Sequence, residues 1–244
     1  MKVVFLGATK GMGRALARRL AQRGAEMVLL GRDRDDLERS AADLRAYGAA
    51  SVGIGDCDLL HPENFATAFD AAAQTIDGID TVVVTAGLFA TQDELEADTE
   101  LTHRLLAADF TNTILFCEEA RKRLLAAGGG TLCVFSSVAG ERGRKPVILY
   151  GAAKAGLSRY LEGLDHKFRE RGLRTITVKP GFVRTSMTAA LKPPPFAGEP
   201  DQVAEVVMRA IERGTPVVYA PGVWRWIMLV IRTLPRAVMR RIGF

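Results

Sequence analysis

Residues 3–13 read Val3-Val-Phe-Leu-Gly7-Ala-Thr-Lys-Gly11-Met-Gly13, and the helix-forming run Arg14–Leu20 follows directly. An apolar strand, a turn with three glycines and the start of a helix together form a binding site for phosphate. The glycines permit a tight turn and a close approach of the backbone, while free N–H groups and the helix dipole favour an anion. The spacing is GxxxGxG rather than GxGxxG, so a purely structural turn is the alternative interpretation.

Outward from this turn, short apolar runs alternate with longer amphipathic segments as far as about residue 220. The near-continuous apolar character of the runs is typical of strands that are covered on both faces. Their alternation with helices predicts a parallel sheet with right-handed crossovers, and hence a doubly wound α/β fold in a single domain. The predicted strands are Lys2–Leu6, Glu26–Leu30, Ser51–Gly55, Asp80–Thr85, Thr131–Ser136, Arg174–Lys179 and Pro216–Tyr219, and the predicted helices include Gly11–Gln22, Asp33–Tyr47 and Pro62–Ile76.

Charge and cysteine content exclude several classes of protein. The net charge of +5 arises from six arginines in residues 213–244, a segment without Asp or Glu, so we expect no nucleic-acid binding. The chain has no CxxC pair and its three histidines are far apart, so neither a metal site nor a disulfide framework is expected. Met1 leads directly into the first strand and leaves no room for a secretory signal, so we expect a cytoplasmic protein. The cysteines are predicted to be small core residues: Cys57, Cys117 and Cys133.

The residues after the second strand bear on the choice of cofactor, because a dinucleotide-binding fold places the group that meets the adenosine ribose there. The chain has Gly31-Arg32 at this point, and Lys10 lies inside the glycine turn. Two cations that converge on a 2′-phosphate favour NADP(H) over NAD(H). Asp33 would favour the opposite choice; its alternative role is to cap the helix that Asp33-x-x-Asp36 opens.

Tyr150-Gly-Ala-Ala-Lys154 begins a helical pattern that continues to about Arg171. At positions i and i+4 the phenol and the ammonium project from one face of the helix. The cation stabilises the ionised phenol, so we expect the pKa of Tyr150 to fall from about 10 toward neutrality, with the positive charge of the oxidised nicotinamide acting together with Lys154. Such a tyrosine gives a proton to a carbonyl oxygen in reduction and removes one in oxidation. Ser137, at the end of the fifth predicted strand, is expected to hydrogen-bond the same oxygen.

With these motifs, the chain resembles the short-chain dehydrogenase/reductase family over residues 1–220. The matching segments are Gly7–Gly13, Asp58-Leu59, Ala86-Gly87, Ser136–Gly140, Tyr150–Lys154 and Pro180–Thr185. The resemblance implies a seven-stranded Rossmann-fold sheet with the cofactor across its carboxyl edge, and homodimers or homotetramers built through the long central helices.

The resemblance also implies where the remaining cofactor-binding residues lie. Asp58 and Leu59 would lie by the adenine, Lys154 would hold the nicotinamide ribose, and the segment after the sixth strand would meet the carboxamide. Together with the residues of the glycine turn, the predicted NADP(H)-binding set is Gly7, Thr9, Lys10, Gly11, Met12, Gly13, Arg32, Asp58, Leu59, Ala86, Gly87, Tyr150, Lys154, Pro180, Gly181, Val183 and Thr185.

The sequence departs from the family pattern at two places. The family's Asn-Asn-Ala-Gly is Val84-Thr85-Ala86-Gly87 here, and we expect the threonine to preserve the geometry through its own hydrogen bond. The helix asparagine that positions a water in the family corresponds to Asp109. We predict that Asp109 acts with Ser137, Tyr150 and Lys154 in catalysis; the alternative is a structural pairing with a nearby cation.

Two further segments bear on the substrate. Residues 141–146 carry Arg142, Arg144 and Lys145, which would either meet an anionic substrate or belong to a solvated loop. Residues 221–244 form an apolar tail whose only charges are arginines, which is not expected to be an independent domain. This tail would lie in an anionic membrane interface, cover the substrate pocket or form a dimer contact. The tail and the neighbouring motifs are similar to the family branch that contains decaprenylphosphoryl ketoribose reductase.

The sequence therefore supports two functions. The first is an oxidoreductase that transfers a hydride between NADP(H) and a ketone or secondary alcohol, with a keto-sugar on a polyprenyl phosphate as the candidate lipid-linked substrate at the inner face of the membrane. The second is a catalytically silent NADP(H)-binding sensor or membrane-peripheral scaffold. The set Ser137, Tyr150 and Lys154 favours the first, because binding alone requires neither the serine nor the tyrosine.

Overall fold

The computed structural model of the protein describes residues 1–242. Its sheet has seven strands, all parallel, in the order β3-β2-β1-β4-β5-β6-β7, which confirms the predicted doubly wound α/β domain. The strand order reverses between β1 and β4, and open α/β sheets bind ligands at this point, outside the carboxyl ends of the strands. The strands are β1 Lys2–Leu6, β2 Glu26–Gly31, β3 Ser51–Asp56, β4 Thr81–Val84, β5 Gly130–Phe135, β6 Leu173–Pro180 and β7 Val217–Ala220.

The helices connect successive strands and then continue beyond β7. Their bounds agree with the predicted segments to within a few residues, except that the segment beginning at Pro62 opens with a 3-10 turn before the α-helix. The helices are α1 Gly11–Gln22, α2 Arg34–Ala46, α3 Phe65–Thr75, α4 Gln92–Ala97, α5 Thr99–Leu106, α6 Asn112–Ala126, α7 Ile148–Phe168, α8 Pro200–Arg213, α9 Val223–Thr233 and α10 Arg236–Arg241.

Both faces of the sheet are covered by helices. In β1, Val3 and Phe5 belong to one hydrophobic cluster, which includes residues of α1, α2 and α8, whereas Val4 and Leu6 belong to another with α3, α6 and α7. This arrangement explains the near-continuous apolar runs, since alternate residues of a strand point to opposite faces. The three cysteines are buried in these layers, as predicted.

Two glycines of the turn after β1 lie where a side chain would not fit. Gly7 has a φ of +96°, a conformation that glycine adopts readily. A Cβ atom on Gly13 would lie 2.1 Å from the Gly7 carbonyl oxygen and 2.6 Å from Thr85 Oγ1. The Thr85 hydroxyl donates to that same carbonyl oxygen at 2.8 Å. The threonine therefore provides the hydrogen bond expected of it and joins the end of β4 to the glycine turn.

The tail folds back onto the domain as two helices, α9 and α10. Trp224, Met228 and Ile231 of α9 pack with Val138, the residue after Ser137. Among residues 1–242 no helix is both long enough and apolar enough to cross a membrane. The last two residues of the predicted tail, Gly243 and Phe244, lie outside the described part of the chain.

We expect Gly13→Ala to destabilise the fold strongly, because the atom that the new methyl group would meet at 2.1 Å belongs to the backbone of Gly7. Overpacking at such a position costs about 1–3 kcal/mol or more. Gly163→Ala is the matched control, since Gly163 is exposed in α7 and a Cβ there meets nothing within 4 Å. The control should stabilise the protein by roughly 0.5–1 kcal/mol. Chemical denaturation of both variants tests this prediction. A denaturation midpoint of Gly13→Ala equal to that of the wild type would contradict the steric account of Gly13.

Candidate active site

A cleft of about 540 Å³ opens at the carboxyl edge of the sheet, at the point where the strand order reverses. Its volume is within the range of pockets that bind small molecules and cofactors. The glycine turn, the ends of β2 and β4 and the segment after β3 form its walls. Eight residues that the sequence assigns to the cofactor line this cleft together: Gly7, Thr9, Lys10, Arg32, Asp58, Leu59, Ala86 and Gly87.

The predicted carboxamide-binding segment lies against the glycine turn. A Cβ atom on Gly11 would be 3.2 Å from the methyl group of Thr185, so the two segments are in close contact. Val183 is buried and its strand-like pairing with Gly198 fixes the segment. Pro180 is the last residue of β6, and Gly181 follows it. Met12, in the first turn of α1, is partly buried against the core.

The corner of the cleft beside β2 carries both signs of charge. Asp33 caps α2 by accepting from the Asp36 backbone N–H at 2.9 Å, which is the alternative role proposed for it. Asp36 pairs with Lys10 at 2.7 Å and with Arg39 at 2.6 Å. These hydrogen bonds, the one from Lys10 foremost, hold the pKa of Asp36 below its ordinary value. Arg32 is exposed, and it has no ion-pair partner within residues 1–242.

The three residues of the predicted catalytic set meet at the start of α7. The Lys154 ammonium lies 5.6 Å from the centre of the Tyr150 ring. Ser137, which follows β5, acts on the Tyr150 hydroxyl to lower its pKa, and the Ser137 side-chain oxygen accepts from the Ala139 backbone N–H at 3.0 Å. The edge-to-face contact with Phe89, 5.2 Å between ring centres, holds the Tyr150 ring from the other side.

Asp109 contacts Lys154 directly. It lies in a π-helical turn, Ala107–Thr111, that joins α5 to α6, and such turns occur frequently at functional sites. One carboxylate oxygen is 3.1 Å from the Lys154 ammonium and the other accepts from the Leu88 backbone N–H. Burial raises the pKa of Asp109, while these two donors favour its carboxylate form. The cation pairing that was the structural alternative for Asp109 is thus present.

The expected fall in the pKa of Tyr150 does not occur in the protein alone. Burial raises the pKa of Tyr150 above its ordinary value; Lys154 opposes this effect, and Asp109 adds to it. Burial also acts to lower the pKa of Lys154, but Asp109 and Tyr150 outweigh it and raise that pKa. In the protein alone, burial and Asp109 outweigh Lys154, so the expected fall depends on the positive charge of the bound cofactor as well.

Two positioning contacts were missed by the sequence analysis. The side-chain oxygen of Gln92 accepts from the backbone N–H groups of Ile148 at 2.8 Å and Leu149 at 3.2 Å, and so caps the catalytic helix α7. Ser136, buried next to Ser137, donates to the Lys154 carbonyl oxygen at 2.9 Å. The serine pair was visible in the sequence, whereas no local pattern connects Gln92 with a helix that begins 56 residues later.

The cations between Ser137 and Tyr150 contact the tail. Arg142 donates to the Leu234 carbonyl oxygen at 2.8 Å, and Lys145 donates to the Arg240 carbonyl oxygen at 2.7 Å. Neither side chain lines the cleft. In the structure the donors of both residues are directed to backbone carbonyls of the tail, at Leu234 and in α10.

Glu141 connects this loop to two strands and to the tail. It is nearly buried and accepts from Lys179 at the end of β6 and from the Tyr219 hydroxyl of β7 at 2.9 Å. Arg232 of α9 lies 3.1 Å from the same carboxylate. Burial raises the pKa of Glu141, but these partners outweigh burial and lower it. The Ser137 turn is therefore held to the tail by charge as well as by the packing of Val138.

Gly181 shows how closely the tail approaches the cofactor-binding segment. A Cβ atom on Gly181 would lie 2.0 Å from the Trp224 indole nitrogen. The tryptophan thus covers the backbone at the end of β6 and leaves room only for glycine. No group of three or more metal-binding side chains is arranged to hold a metal ion in residues 1–242.

A glycine turn at the switch point of a parallel sheet, with serine, tyrosine and lysine side chains grouped beside the cleft, defines the class of nicotinamide-nucleotide-binding oxidoreductases. The family model for short chain dehydrogenases matches residues 1–195. The chain belongs to this family, which binds a nicotinamide cofactor.

Three relatives match between 83% and 98% of this chain. An uncharacterised oxidoreductase of Mycobacterium tuberculosis is 35% identical over 239 residues, which cover 98% of this chain and 96% of that protein. Carbonyl reductase family member 4 of Danio rerio is 30% identical. The alignment covers 87% of this chain and 91% of the Danio protein. The 3-oxoacyl-[acyl-carrier-protein] reductase of Aquifex aeolicus is also 30% identical, over 83% of this chain and 86% of its own.

Solved structures share the fold. A short-chain dehydrogenase/reductase from Mycobacterium ulcerans superimposes with a TM-score of 0.80 at 23% sequence identity. The superposition covers 89% of this chain and 86% of the Mycobacterium ulcerans chain. An actinorhodin polyketide ketoreductase variant, solved with NADPH, also has a TM-score of 0.80, at 22% identity, with 89% and 95% coverage. At this level of identity, the two structures support the architecture of the chain.

We expect Asp109→Asn to lower the pKa of Tyr150, because it removes the carboxylate that compensates the charge of Lys154. Oxidation of an alcohol needs the ionised phenol, so kcat/KM should begin to rise at a lower pH than in the wild type. Asp70→Asn, which removes an exposed carboxylate paired with Arg123, is the control and should leave the pH profile unchanged. An active Asp109→Asn enzyme with the wild-type profile would contradict the coupling of Asp109 to Tyr150.

Proposed function

We propose that the protein transfers a hydride between NADP(H) and a ketone or secondary alcohol, with Ser137, Tyr150, Lys154 and Asp109 as its catalytic residues. The observation that carries this proposal is the Lys154 ammonium 5.6 Å from the Tyr150 ring, with Ser137 on the phenol oxygen. A protein that only binds the cofactor needs no such grouping. The names of two relatives, a carbonyl reductase and a 3-oxoacyl reductase, support reduction as the physiological direction.

Each of the four side chains has a step in the proposed reaction. In reduction, the Tyr150 hydroxyl gives its proton to the carbonyl oxygen while the carbonyl carbon receives the hydride. Ser137 donates a hydrogen bond to the same oxygen, where negative charge develops. The Lys154 ammonium stabilises the phenolate that remains, and Asp109 holds that ammonium in place. The second positive charge that favours the phenolate comes from the oxidised cofactor.

We expect a dinucleotide to lie along the cleft with its phosphates at the glycine turn. Gly7 and Gly13 let this turn pack tightly against Thr85 and Ala86, and the free N–H groups at the start of α1 favour an anion. The bound nicotinamide would supply or accept the hydride. The residues that would hold the cofactor are the predicted ones, in order along the cleft: Arg32, Asp58 and Leu59 at the adenosine, Gly7, Thr9, Lys10, Gly11, Met12 and Gly13 at the phosphates, and Ala86, Gly87, Tyr150, Lys154, Pro180, Gly181, Val183 and Thr185 toward the nicotinamide.

The preference for NADP(H) rests on Arg32. Lys10 and Arg39 both pair with Asp36, and Asp33 accepts a backbone N–H at the start of α2. Arg32 is exposed and has no ion-pair partner among the described residues, so its guanidinium is the group that we assign to a 2′-phosphate.

We also propose a lipid-linked substrate, a keto-sugar on a polyprenyl phosphate, because the tail and its neighbouring motifs resemble the decaprenylphosphoryl ketoribose reductase branch. Helix α9 packs beside Val138, the residue that follows Ser137, and this contact brings the tail next to the proposed site. We place the enzyme in the cytoplasm, where such a substrate is reached at the inner face of the membrane, and as a homodimer or homotetramer through α6 and α7. No contact with nucleic acid is proposed.

The decisive experiment follows absorbance at 340 nm, the band of reduced nicotinamide, with a panel of polar keto-sugars, polyprenyl-linked keto-sugars and simple hydrophobic ketones. The wild type should oxidise NADPH with at least one of these classes. Tyr150→Phe keeps the ring and its contact with Phe89 but has no proton to donate, so we expect kcat to fall by about 10²–10⁴. NADPH affinity should change little.

The outcomes separate the two functions that the sequence allowed. Tight NADPH binding without turnover of any class of ketone would support the silent sensor or scaffold instead. Turnover that Tyr150→Phe leaves intact would refute the assigned proton donor. Tyr160→Phe is the control, because the Tyr160 hydroxyl bonds Glu118 on α6, outside the cleft, and its loss should leave kcat unchanged.

We expect Arg32→Asp to reverse the cofactor preference. The substitution replaces the exposed cation with a carboxylate, which repels a 2′-phosphate and accepts from a 2′-hydroxyl. The ratio of kcat/KM for NADPH to that for NADH, which we expect to exceed one in the wild type, should fall below one in this variant. Arg34→Asp is the matched control, because Arg34 is exposed two positions further on and pairs with Glu38. An unchanged ratio in Arg32→Asp would count against the ribose-phosphate assignment.

A further inference from the structure

Helix α9 has two apolar faces, only one of which is covered. The inner face carries Trp224, Met228 and Ile231, which pack on the domain beside Val138. The outer face carries Trp226 and Val230, one helical turn apart, which are 65% and 60% exposed. Burial of the inner face thus explains half of the apolar residues of this helix and leaves the other half in contact with solvent.

The exposed apolar residues of the tail are concentrated rather than scattered, and single exposed apolar side chains would need no explanation. Two consecutive turns of α9 contribute most of them, and α10 contributes one. The outer face of the tail is defined here as Val223, Trp226, Leu229, Val230 and Val238.

The charges around this face are all of one sign. Residues 221–242 contain five arginines and no carboxylate: Arg225, Arg232, Arg236, Arg240 and Arg241. Of these, only Arg232 pairs with a carboxylate within the described chain, namely Glu141. The other four are exposed and lie around or next to the outer face.

A second copy of the chain does not fit this surface. A twofold contact would place the outer face against itself and bring the two sets of arginines together. The tail has no acidic residue that could pair with them. The combination of tryptophan, leucine and valine with unpaired arginines instead matches the surface of an anionic bilayer, where apolar side chains enter the acyl boundary and cations meet lipid phosphates.

We propose that the outer face of the tail docks on the surface of an anionic phospholipid bilayer. Docking orients the domain, because the tail is fixed to the active-site loop by three polar contacts: Glu141 with Arg232, Arg142 with the Leu234 carbonyl and Lys145 with the Arg240 carbonyl. The Ser137 turn then lies on the side of the domain that faces the lipid. This inference goes beyond the proposed reaction, since the surface exists whatever the substrate is.

The test is co-sedimentation of the full chain with phosphatidylcholine vesicles, with and without phosphatidylglycerol. The protein should bind the anionic vesicles and be released as salt increases, because charge supplies part of the affinity. Both tryptophans of the chain lie in α9, so binding should also shift their emission to shorter wavelength. In the double variant Trp226→Ser, Val230→Ser, the vesicle dissociation constant should rise about tenfold or more.

Two further variants define the specificity of the effect. Replacing Arg236, Arg240 and Arg241 with Gln should weaken anionic binding about fivefold per arginine at low salt. Tyr47→Ser removes an exposed apolar side chain at the end of α2, far along the chain from the tail, and should leave vesicle binding unchanged. Neither substitution touches a residue of the cleft, so all folded variants should keep the wild-type activity on a water-soluble ketone.

Several results would overturn the docking proposal. These are no binding to anionic vesicles, equal binding to neutral ones, or unchanged binding of the Trp226→Ser, Val230→Ser variant. Self-association that this variant abolishes, without vesicle binding, would assign the face to a second copy. Activity on the soluble ketone distinguishes this failure from that of the proposed function, because it depends on Tyr150 and not on the outer face of the tail.

Discussion

The burial of the Lys154 ammonium is the constraint around which the site is organised. An ammonium taken out of water costs several kcal/mol, and a carboxylate beside it offsets part of that cost. Asp109 provides it at 3.1 Å, and the π-helical turn between α5 and α6 directs that side chain inward. Leu88, whose backbone N–H bonds the other carboxylate oxygen, belongs to the segment after β4 that lines the cleft. One ion pair therefore ties the catalytic helix to the cofactor-binding edge of the sheet.

This pairing has a consequence for the chemistry. A compensated lysine lowers the pKa of Tyr150 less than a lone one, and burial leaves that pKa above its ordinary value in the protein alone. The proton on Tyr150 is thereby retained, as a donor to a carbonyl requires. In the family, an asparagine stands at the position of Asp109, so the charge at this position is a property of this chain that distinguishes its active site.

The tail is the second structural element on which the site depends. Its inner face covers the end of β6 at Gly181 and the turn after Ser137, and Glu141 joins it to Lys179 and Tyr219. The catalytic turn and the carboxamide-binding segment are thus both held by the same helix, α9. A segment that looked in the sequence like an appendage is packed onto the active-site edge of the domain.

Local sequence determined the fold class, the glycine turn, the strands to within one or two residues and the Tyr150–Lys154 spacing, because each depends on periodicity or on backbone conformation over a few residues. Asp33 as a helix cap and Thr85 as a hydrogen-bond donor were predictable for the same reason. Only the tertiary structure decided the partners of charged and polar side chains: Asp109 with Lys154, Gln92 with the start of α7, Asp36 with Lys10, and Arg142 with the tail. These pairs join residues that are distant in the chain, and their energies depend on burial, which no local pattern reveals.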